Sequence, residues 1–168
     1  MKLKIIQGID VKNKIVFLRA DLDVPLSISH KSLVITDSSR LEAWFPTLEY
    51  LVRNQAQVII AGHLGRPKSV ISHRSSVISS GEFSLEPVAN WIAKKIGSKP
   101  QESQIGEFKA WKLAENVSVL ENLRFYKEEE ESNVQFSEKL SKLAQIYVND
   151  AFASSHRAHA SIVRITKY

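Results

Sequence analysis

Four short apolar runs, each followed at once by polar side chains, constrain the fold of this chain more than any other feature of its sequence. They lie at residues 14–19, 57–61, 117–120 and 146–148, with the sequences KIVFLR, QVIIA, VSVL and IYV. A short, nearly continuous apolar run is typical of a strand that is buried on both faces of a sheet. We therefore expect four buried strands at these positions.

The segments between these runs carry helical patterns. Apolar side chains recur at helical spacing from residue 40 to about residue 54, where Pro46 fits a first turn if the helix begins near Phe45 and predicts a kink otherwise. Two further helices are expected at 85–96 and 136–145. The alternation of strands and helices indicates an α/β domain with a parallel sheet covered by helices on both faces.

Four segments are less regular. Residues 26–35 predict an irregular excursion or a short hairpin, and residues 100–116 predict a helix or two short turns. The acidic run 128–131 indicates a solvated face or a helix start. The Ser-rich segment 68–84 is interpreted as a long surface loop without assigned chemistry.

Charged side chains follow the apolar runs, at the points where the strands should end. Because the carboxyl ends of parallel strands share one edge of a sheet, where open α/β folds bind ligands, we expect these side chains to gather there. With Arg40 from the adjoining helix, they are Asp21, Asp23, His63, Arg66, Arg124, His156, Arg157 and His159. Two like charges about 4 Å apart repel by about 4 kcal/mol at an effective dielectric near 20, so the four arginines need a counter-charge. The pattern predicts a polyanionic ligand with phosphate and carboxylate groups, which arginine binds bidentately.

Composition narrows the classes of partner. The chain has 168 residues and no cysteine, which excludes disulfides, thiolate metal sites and cysteine nucleophiles. No apolar run approaches the ~20 residues of a membrane span, and the N-terminus does not resemble a signal peptide, so we expect a cytoplasmic protein. The net charge of +5 is spread along the chain without a basic block, which disfavours nucleic acid as the partner.

Two other classes of function stay open at this point. One is a metal-dependent hydrolase, whose ligands would be Asp21, Asp23, His63, His156 and His159. Surplus arginine beside a dication disfavours it. The other is a non-enzymatic module that binds anions or nucleic acid.

Seven motifs of the chain resemble, in order, those of the phosphoglycerate kinase family. They are LRADLDVPL, ITDSSR, AGHLGRPK, FSLEPVA, VLENLRF, EEE and YVNDAFASSHRAHAS. They match the N-terminal domain of that family only. The resemblance implies that residues 1–168 form a three-layer α/β/α Rossmann-like domain with a six-stranded parallel sheet. It also implies a glycolytic function, the binding of 3-phosphoglycerate or 1,3-bisphosphoglycerate for phosphoryl transfer to or from ADP or ATP, in a monomer with no nucleic-acid or membrane partner.

The resemblance further implies roles for individual residues. Arg40 is the catalytic residue that stabilises the phosphoryl group in transfer, and Asp21 orients the glycerate hydroxyl. The full set of implied substrate-binding residues is Asp21, Asp23, Arg40, His63, Leu64, Gly65, Arg66, Arg124 and Arg157, with Arg66, Arg124 and Arg157 on the non-transferred phosphate. His156 and His159 are interpreted as structural, and no metal ligand is expected in this chain.

The chain also departs from the family pattern. Asp23 stands where the family usually has Asn, and Ala153 and Arg164 stand where Gly is common. The family binds Mg-ATP or Mg-ADP in a C-terminal nucleotide domain, which is absent from these 168 residues, so we expect either an excised domain or a truncated product. On this basis we expect weak binding of phosphoglycerate, no turnover by this chain alone, no cofactor in this chain, and an apolar patch where the C-terminal segment of the family would lie.

Overall fold

The computed structural model describes residues 5–29, 32–67 and 81–168, which form eight strands and four α-helices. The strands are β1 (Ile15–Ala20), β2 (Leu26–Ser29), β3 (Ser32–Ile35), β4 (Gln57–Ala61), β5 (Gln101–Ile105), β6 (Phe108–Ala114), β7 (Val117–Leu120) and β8 (Ile146–Asp150). The helices are α1 (Ser39–Arg53), α2 (Glu86–Lys95), α3 (Lys127–Glu130) and α4 (Val134–Ser141). The four predicted strands and three predicted helices are confirmed. Most of the loop predicted at 68–84 lies outside the described residues.

Six of these strands form one sheet in the order β5-β6-β7-β4-β1-β8. Strands β7, β4, β1 and β8 are parallel, whereas β5 and β6 are antiparallel to each other and β6 is antiparallel to β7. The expected number of strands is therefore confirmed, but the expectation that all six are parallel is wrong. The reason is the two-residue connection between β5 and β6, at Gly106 and Glu107, which can join only antiparallel strands.

The segment 100–116, for which we expected a helix or turns, is this β5–β6 hairpin. In β6, Phe108 and Ala110 are buried while Lys109 is exposed and Trp111 is partly exposed, which is the alternation of a half-buried strand. An irregularity in the pairing between Lys112 and Ala114 interrupts the alternation and obscures it in the sequence. The hairpin alternative for residues 26–35 is confirmed by β2 and β3.

Helices cover both faces of the sheet. Side chains of β1 alternate between the faces, so that Val16 and Leu18 join one apolar cluster and Phe17 joins another. The first cluster includes the buried faces of α1 and α2, and the second includes that of α4. The predicted three-layer α/β/α arrangement is confirmed.

One local expectation is wrong. Strand β8 is the last strand of the sheet and its side chains are mostly half-buried, so it is not the buried strand that its apolar run indicated.

The structure decides between alternatives at two other places. Pro46 lies in the interior of α1, because the helix begins at Ser39 and not near Phe45. The acidic run lies in the first turn of α3 and just after it, which confirms the helix-start alternative, and Glu129 within it is only 1% exposed.

None of the helices formed by the described residues combines the length and the apolar character that a membrane crossing requires.

Candidate functional site

The carboxyl ends of β1, β4, β7 and β8 meet at one edge of the sheet, which we call the rim. Asp21 and Asp23 follow β1, and the loop 62–67 follows β4. Asp23 connects these two strand ends, since its Oδ1 accepts a hydrogen bond from the Gly65 N–H at 2.8 Å. The parallel pairing thus places predicted site residues side by side although they are far apart in sequence.

Arg40 reaches the rim from the first turn of α1. Its guanidinium is half-exposed, and Nη1 lies 3.6 Å from Oδ2 of the mostly buried Asp21. The helix dipole disfavours a cation at this position, and the neighbouring carboxylate offsets that effect. An ion pair with one exposed partner at this distance is weak, so Arg40 is able to leave Asp21 for a ligand at little cost.

His63 lies just beyond the end of β4 and is buried, with its two ring nitrogens facing different charges. Nδ1 is 3.1 Å from Arg19 Nη2, and because a guanidinium only donates hydrogen bonds, Nδ1 accepts and the ring proton lies on Nε2. Nε2 faces Asp23 Oδ2 at 3.6 Å, which is longer than a hydrogen bond. Burial lowers the pKa of His63, although Asp23 acts in the opposite direction. His63 is therefore a neutral donor and not one of the cations of the rim.

Asp23 is ionised over almost the whole pH range. The neighbouring His63 is the main cause, and together with the Gly65 N–H it lowers the pKa of Asp23 to about 2 despite partial burial. The rim thus contains a permanent negative charge next to its arginines.

Arg124 is the most deeply buried of the predicted arginines, with a side chain that is 2% exposed. Its Nη1 donates to the Gly65 carbonyl oxygen at 2.5 Å, and its Nε lies 3.2 Å from Glu130 Oε1 without hydrogen-bond geometry. Within the described part of the chain, Nε and Nη2 have no hydrogen-bond partner. Burial lowers the pKa of Arg124; the carboxylate of Glu130 acts in the opposite direction, and the charges of Arg157 and Arg66 lower the pKa further. Buried guanidinium donors without partners are costly, and an oxyanion would satisfy them.

The remaining predicted residues differ in exposure. Arg66 is exposed and Arg157 is half-buried. His156 is exposed, whereas His159 is buried, and burial followed by the charges of Arg124 and Arg157 lowers the pKa of His159 to about 4. His159 is therefore neutral near pH 7.

The metal-site alternative finds no support in this arrangement. Among residues 5–29, 32–67 and 81–168, no three His, Asp or Glu side chains come together in a group that could hold a metal ion. Asp21 faces Arg40, and Asp23 faces His63 and the Gly65 N–H, so both carboxylates already have partners.

A cavity of about 850 Å³ adjoins the rim. It lies between the β2–β3 hairpin and the start of α2, and Asp23, Leu64 and Gly65 form the side that borders the rim. Arg40, Arg66, Arg124 and Arg157 are not among the residues that line it.

Comparison with known proteins identifies the family. The family model for phosphoglycerate kinase matches residues 6–168. The chain belongs to the phosphoglycerate kinase family. The cytosolic phosphoglycerate kinase of Triticum aestivum is 44% identical over 166 residues, which cover 95% of this chain and 38% of the wheat protein. The phosphoglycerate kinase of Finegoldia magna is 41% identical over 177 residues, which cover 100% of this chain and 42% of that protein.

Solved structures of phosphoglycerate kinases have the same fold. That from Coxiella burnetii superposes with a TM-score of 0.74 at 29% identity, covering 97% of this chain and 39% of that one. That from Pyrococcus horikoshii has a TM-score of 0.70 at 30% identity, covering 95% of this chain and 39% of that one. The chain thus spans about two fifths of the length of the phosphoglycerate kinases it matches, and the match is to their N-terminal part.

Sequence reasoning missed the residue that organises the loop of this phosphoglycerate kinase domain. Asn122 is fully buried, and its Nδ2 donates to the Leu64 and Phe83 carbonyl oxygens at 2.8 and 2.9 Å. Its Oδ1 accepts from the Arg124 N–H at 3.0 Å and the Leu64 N–H at 3.3 Å. One amide therefore ties the loop after β4 to the backbone of Arg124. A polar residue directly after a buried strand was the available signal.

A second missed group lies beneath the rim of this family member. Arg19 is fully buried at the end of β1, and its Nε donates to Ser161 Oγ at 3.0 Å. Glu129 accepts hydrogen bonds from the hydroxyl and the N–H of Ser161 at 2.5 and 2.9 Å. A charged residue inside an apolar strand is a signal that a buried partner exists, but nothing in the acidic run distinguishes Glu129 from its neighbours.

Proposed function

We propose that this chain is the substrate-binding part of a glycolytic phosphoglycerate kinase and that its rim binds 3-phosphoglycerate or 1,3-bisphosphoglycerate. One observation supports this proposal above all, the buried guanidinium of Arg124 with donors that no described residue accepts. Arg66 and Arg157 add positive charge around it. A phosphate group would supply the missing acceptors, and its negative charge would add to that of Glu130 in balancing the three arginines.

The proposed roles follow from how strongly each side chain is held. Arg124 is fixed by burial and by the Gly65 carbonyl oxygen, so it suits a phosphate that stays in place during the reaction. Arg40 is half-exposed and only weakly paired with Asp21, so it suits the end where charge moves in phosphoryl transfer. Asp21, freed from Arg40, would accept the hydrogen bond of the glycerate hydroxyl.

The nucleotide and its magnesium ion are assigned to another part of a full-length kinase. The described residues of this chain bring together no group of His, Asp and Glu side chains that could hold a metal ion. We propose that the chain alone binds 3-phosphoglycerate weakly, acts as a monomer in the cytoplasm, and does not transfer phosphate. The cytosolic wheat relative supports the location, although two Arabidopsis thaliana relatives are chloroplastic.

Calorimetric titration with 3-phosphoglycerate tests the binding. We expect saturable binding by the wild-type chain and a loss of at least about ten-fold in affinity in Arg157→Gln, because roughly 1.4 kcal/mol of interaction corresponds to a factor of ten. Arg53→Gln is the matched control, since Arg53 is an exposed arginine in the last turn of α1, away from the rim. Equal affinities of the two variants would contradict the proposed site.

Two further measurements separate the proposal from the other classes of function. A coupled assay with ADP and 1,3-bisphosphoglycerate should show no ATP formation by the chain alone, and turnover would refute the inactivity. Binding of unrelated oligonucleotides with a steep salt dependence would favour a nucleic-acid module instead.

A further inference from the structure

Arg19, which lies beneath the rim with Ser161 and Glu129, cannot act by direct contact with a ligand. Arg19 is 0% exposed, and each side of its guanidinium is engaged. Nε donates to Ser161 Oγ at 3.0 Å, Nη1 donates to the Ala20 carbonyl oxygen at 2.5 Å, and Nη2 donates to His63 Nδ1 at 3.1 Å. Arg19 thus has no exposed atom to offer a substrate.

A buried counter-charge fixes the orientation of this guanidinium. The hydroxyl of Ser161 donates to Glu129 Oε1, so it has a lone pair and not a proton to offer to Arg19. The Ser161 N–H donates to the second oxygen of Glu129, which holds the carboxylate as well. Burial raises the pKa of Glu129, while the two Ser161 donors and the charge of Arg19 favour the ionised form. The chain of hydrogen bonds therefore has one direction only, from Arg19 through Ser161 to Glu129.

The same guanidinium decides which nitrogen of His63 carries the proton. With Nδ1 occupied as an acceptor, the proton lies on Nε2, and the N–H is directed at Asp23 Oδ2. The other oxygen of Asp23 accepts from Gly65 N–H, the residue whose carbonyl oxygen accepts from Arg124. If the proton moved to Nδ1, the lone pair of Nε2 would face the Asp23 carboxylate, and the two would repel each other.

We propose that Arg19, oriented by Ser161 and Glu129, is a positioning residue that holds His63 in the Nε2–H tautomer and so keeps Asp23 and the loop 62–67 in their binding arrangement. The effect on ligand affinity rests on the proposed function, whereas the tautomer of His63 is a property of the protein without ligand. Arg19 acts through His63 and touches no substrate atom.

The test reads the tautomer directly. The ¹⁵N chemical shifts of the two imidazole nitrogens of His63 are measured in the ligand-free chain, in Arg19→Met, and in Arg19→Met/Glu129→Gln. We expect a single Nε2–H tautomer in the wild type and a mixture of tautomers in both variants. Titration with 3-phosphoglycerate should show affinity reduced on the order of ten-fold in both, the loss typical of one hydrogen bond to a charged group.

The double variant is included because Arg19→Met alone leaves Glu129 as an unpaired buried charge, which destabilises proteins strongly. In the double variant both charges are gone, and the side-chain amide introduced by Glu129→Gln donates to the Ser161 oxygen that Arg19 has left. If only the double variant folds, it alone provides the measurement. Tyr147→Phe is the matched control, because the Tyr147 hydroxyl donates to the Ser161 carbonyl oxygen at 2.9 Å in the same buried region without contacting His63.

The outcomes separate the two proposals. A wild-type chain that does not bind 3-phosphoglycerate overturns the proposed function, while the shift measurement still decides the role of Arg19. A pure Nε2–H tautomer in a folded Arg19 variant overturns the positioning role, as does an Nδ1–H tautomer in the wild type. A mixture of tautomers in Tyr147→Phe also overturns it, because the effect would then follow from any disturbance of this region.

Discussion

Removal of the negative charge at Asp23 should strengthen the binding of phosphoglycerate. The carboxylate is ionised at any pH well above its pKa of about 2, and it lies beside the cations that we assign to the ligand. In Asp23→Asn the carboxamide oxygen still accepts the Gly65 N–H bond, so the loop keeps its main tether while the charge disappears. The amide NH₂ would then face the His63 N–H across the 3.6 Å that separates the two side chains, and this unfavourable contact reduces the electrostatic gain.

The size of the effect follows from the geometry of the rim. Asp23 and Arg124 both bond to Gly65, so we use a separation on the order of 6 Å between an anion on Arg124 and the Asp23 carboxylate to calculate the repulsion. Two like charges at that distance repel by ~0.7 kcal/mol in water and by ~3 kcal/mol at an effective dielectric near 20. Because the Asp23 side chain is 36% exposed, an intermediate value applies. About 1 kcal/mol, or roughly a five-fold decrease in Kd, is the expected gain.

Calorimetry with 3-phosphoglycerate at two salt concentrations measures this gain. Asp10→Asn is the matched control, since it makes the same change in net charge at an exposed residue before β1, at the opposite edge of the sheet. We expect the control to bind like the wild type, and the advantage of Asp23→Asn to shrink as salt screens the repulsion. Unchanged or weaker affinity in Asp23→Asn would refute the electrostatic reasoning. An equal gain in Asp10→Asn would mean that the net charge of the chain, and not the position of Asp23, determines the affinity.

Three further predictions concern packing, pH and the shape of the cation. Gly62→Ala would place a Cβ 2.8 Å from a backbone carbonyl oxygen, so urea denaturation should show a free energy of unfolding that is lower by about 1–3 kcal/mol. Gly8→Ala is the control, because a Cβ at Gly8 would have nothing within 4 Å. Equal unfolding midpoints for the two variants would contradict the clash at Gly62. The pKa of His159 is lowered to about 4, below the ~6.5 of an unfolded chain, so the folded state resists protonation and stability should fall as the pH falls from about 7 to about 4. His159→Gln should flatten this dependence in denaturation curves at several pH values, whereas His156→Gln, at an exposed position, should leave it; identical curves for both would be inconsistent with the buried neutral imidazole. Arg124→Lys keeps the charge but loses the planar donors, so calorimetry should show affinity for 3-phosphoglycerate reduced roughly ten-fold or more, and undiminished affinity would mean that charge alone suffices.

The strands of the sheet centre were predictable because burial on both faces favours a nearly continuous apolar run. In β1 and β4 the buried side chains are apolar except Arg19, whose charge has buried partners of its own. Strand β8 has a similar apolar run, but among the described strands it pairs on one side only, with β1. The run itself does not show this, because the order of strands depends on contacts between distant parts of the chain. The β5–β6 hairpin escaped prediction because the irregularity near Lys112 breaks the alternation that identifies a half-buried strand.

The rim could be predicted as a place but not as a set of contacts. Parallel pairing alone brings the residues after β1, β4 and β7 to one edge, and this explains why Asp21, His63 and Arg124 were expected together. What each side chain faces depends on residues far away in sequence. Arg19 and Ser161 are 142 positions apart, and neither shows in its local sequence that the other will be its partner.

Burial divides the arginines of the rim into two kinds, and the function that we propose needs both. Arg124 is held beneath the surface, with Glu130 close to its Nε and two donors without a hydrogen-bond partner among the described residues, so an anion at this position would gain hydrogen bonds that the protein does not supply. Arg40 lies at the surface in a weak pair with Asp21, so it is able to exchange one carboxylate for another anion with little change in free energy. Arg19 lies beneath both, and all of its guanidinium nitrogens have partners inside the protein, so it stabilises the site and does not bind the ligand. The number of cations at an edge therefore does not measure how many of them bind a ligand, because each arginine's own partners decide its role.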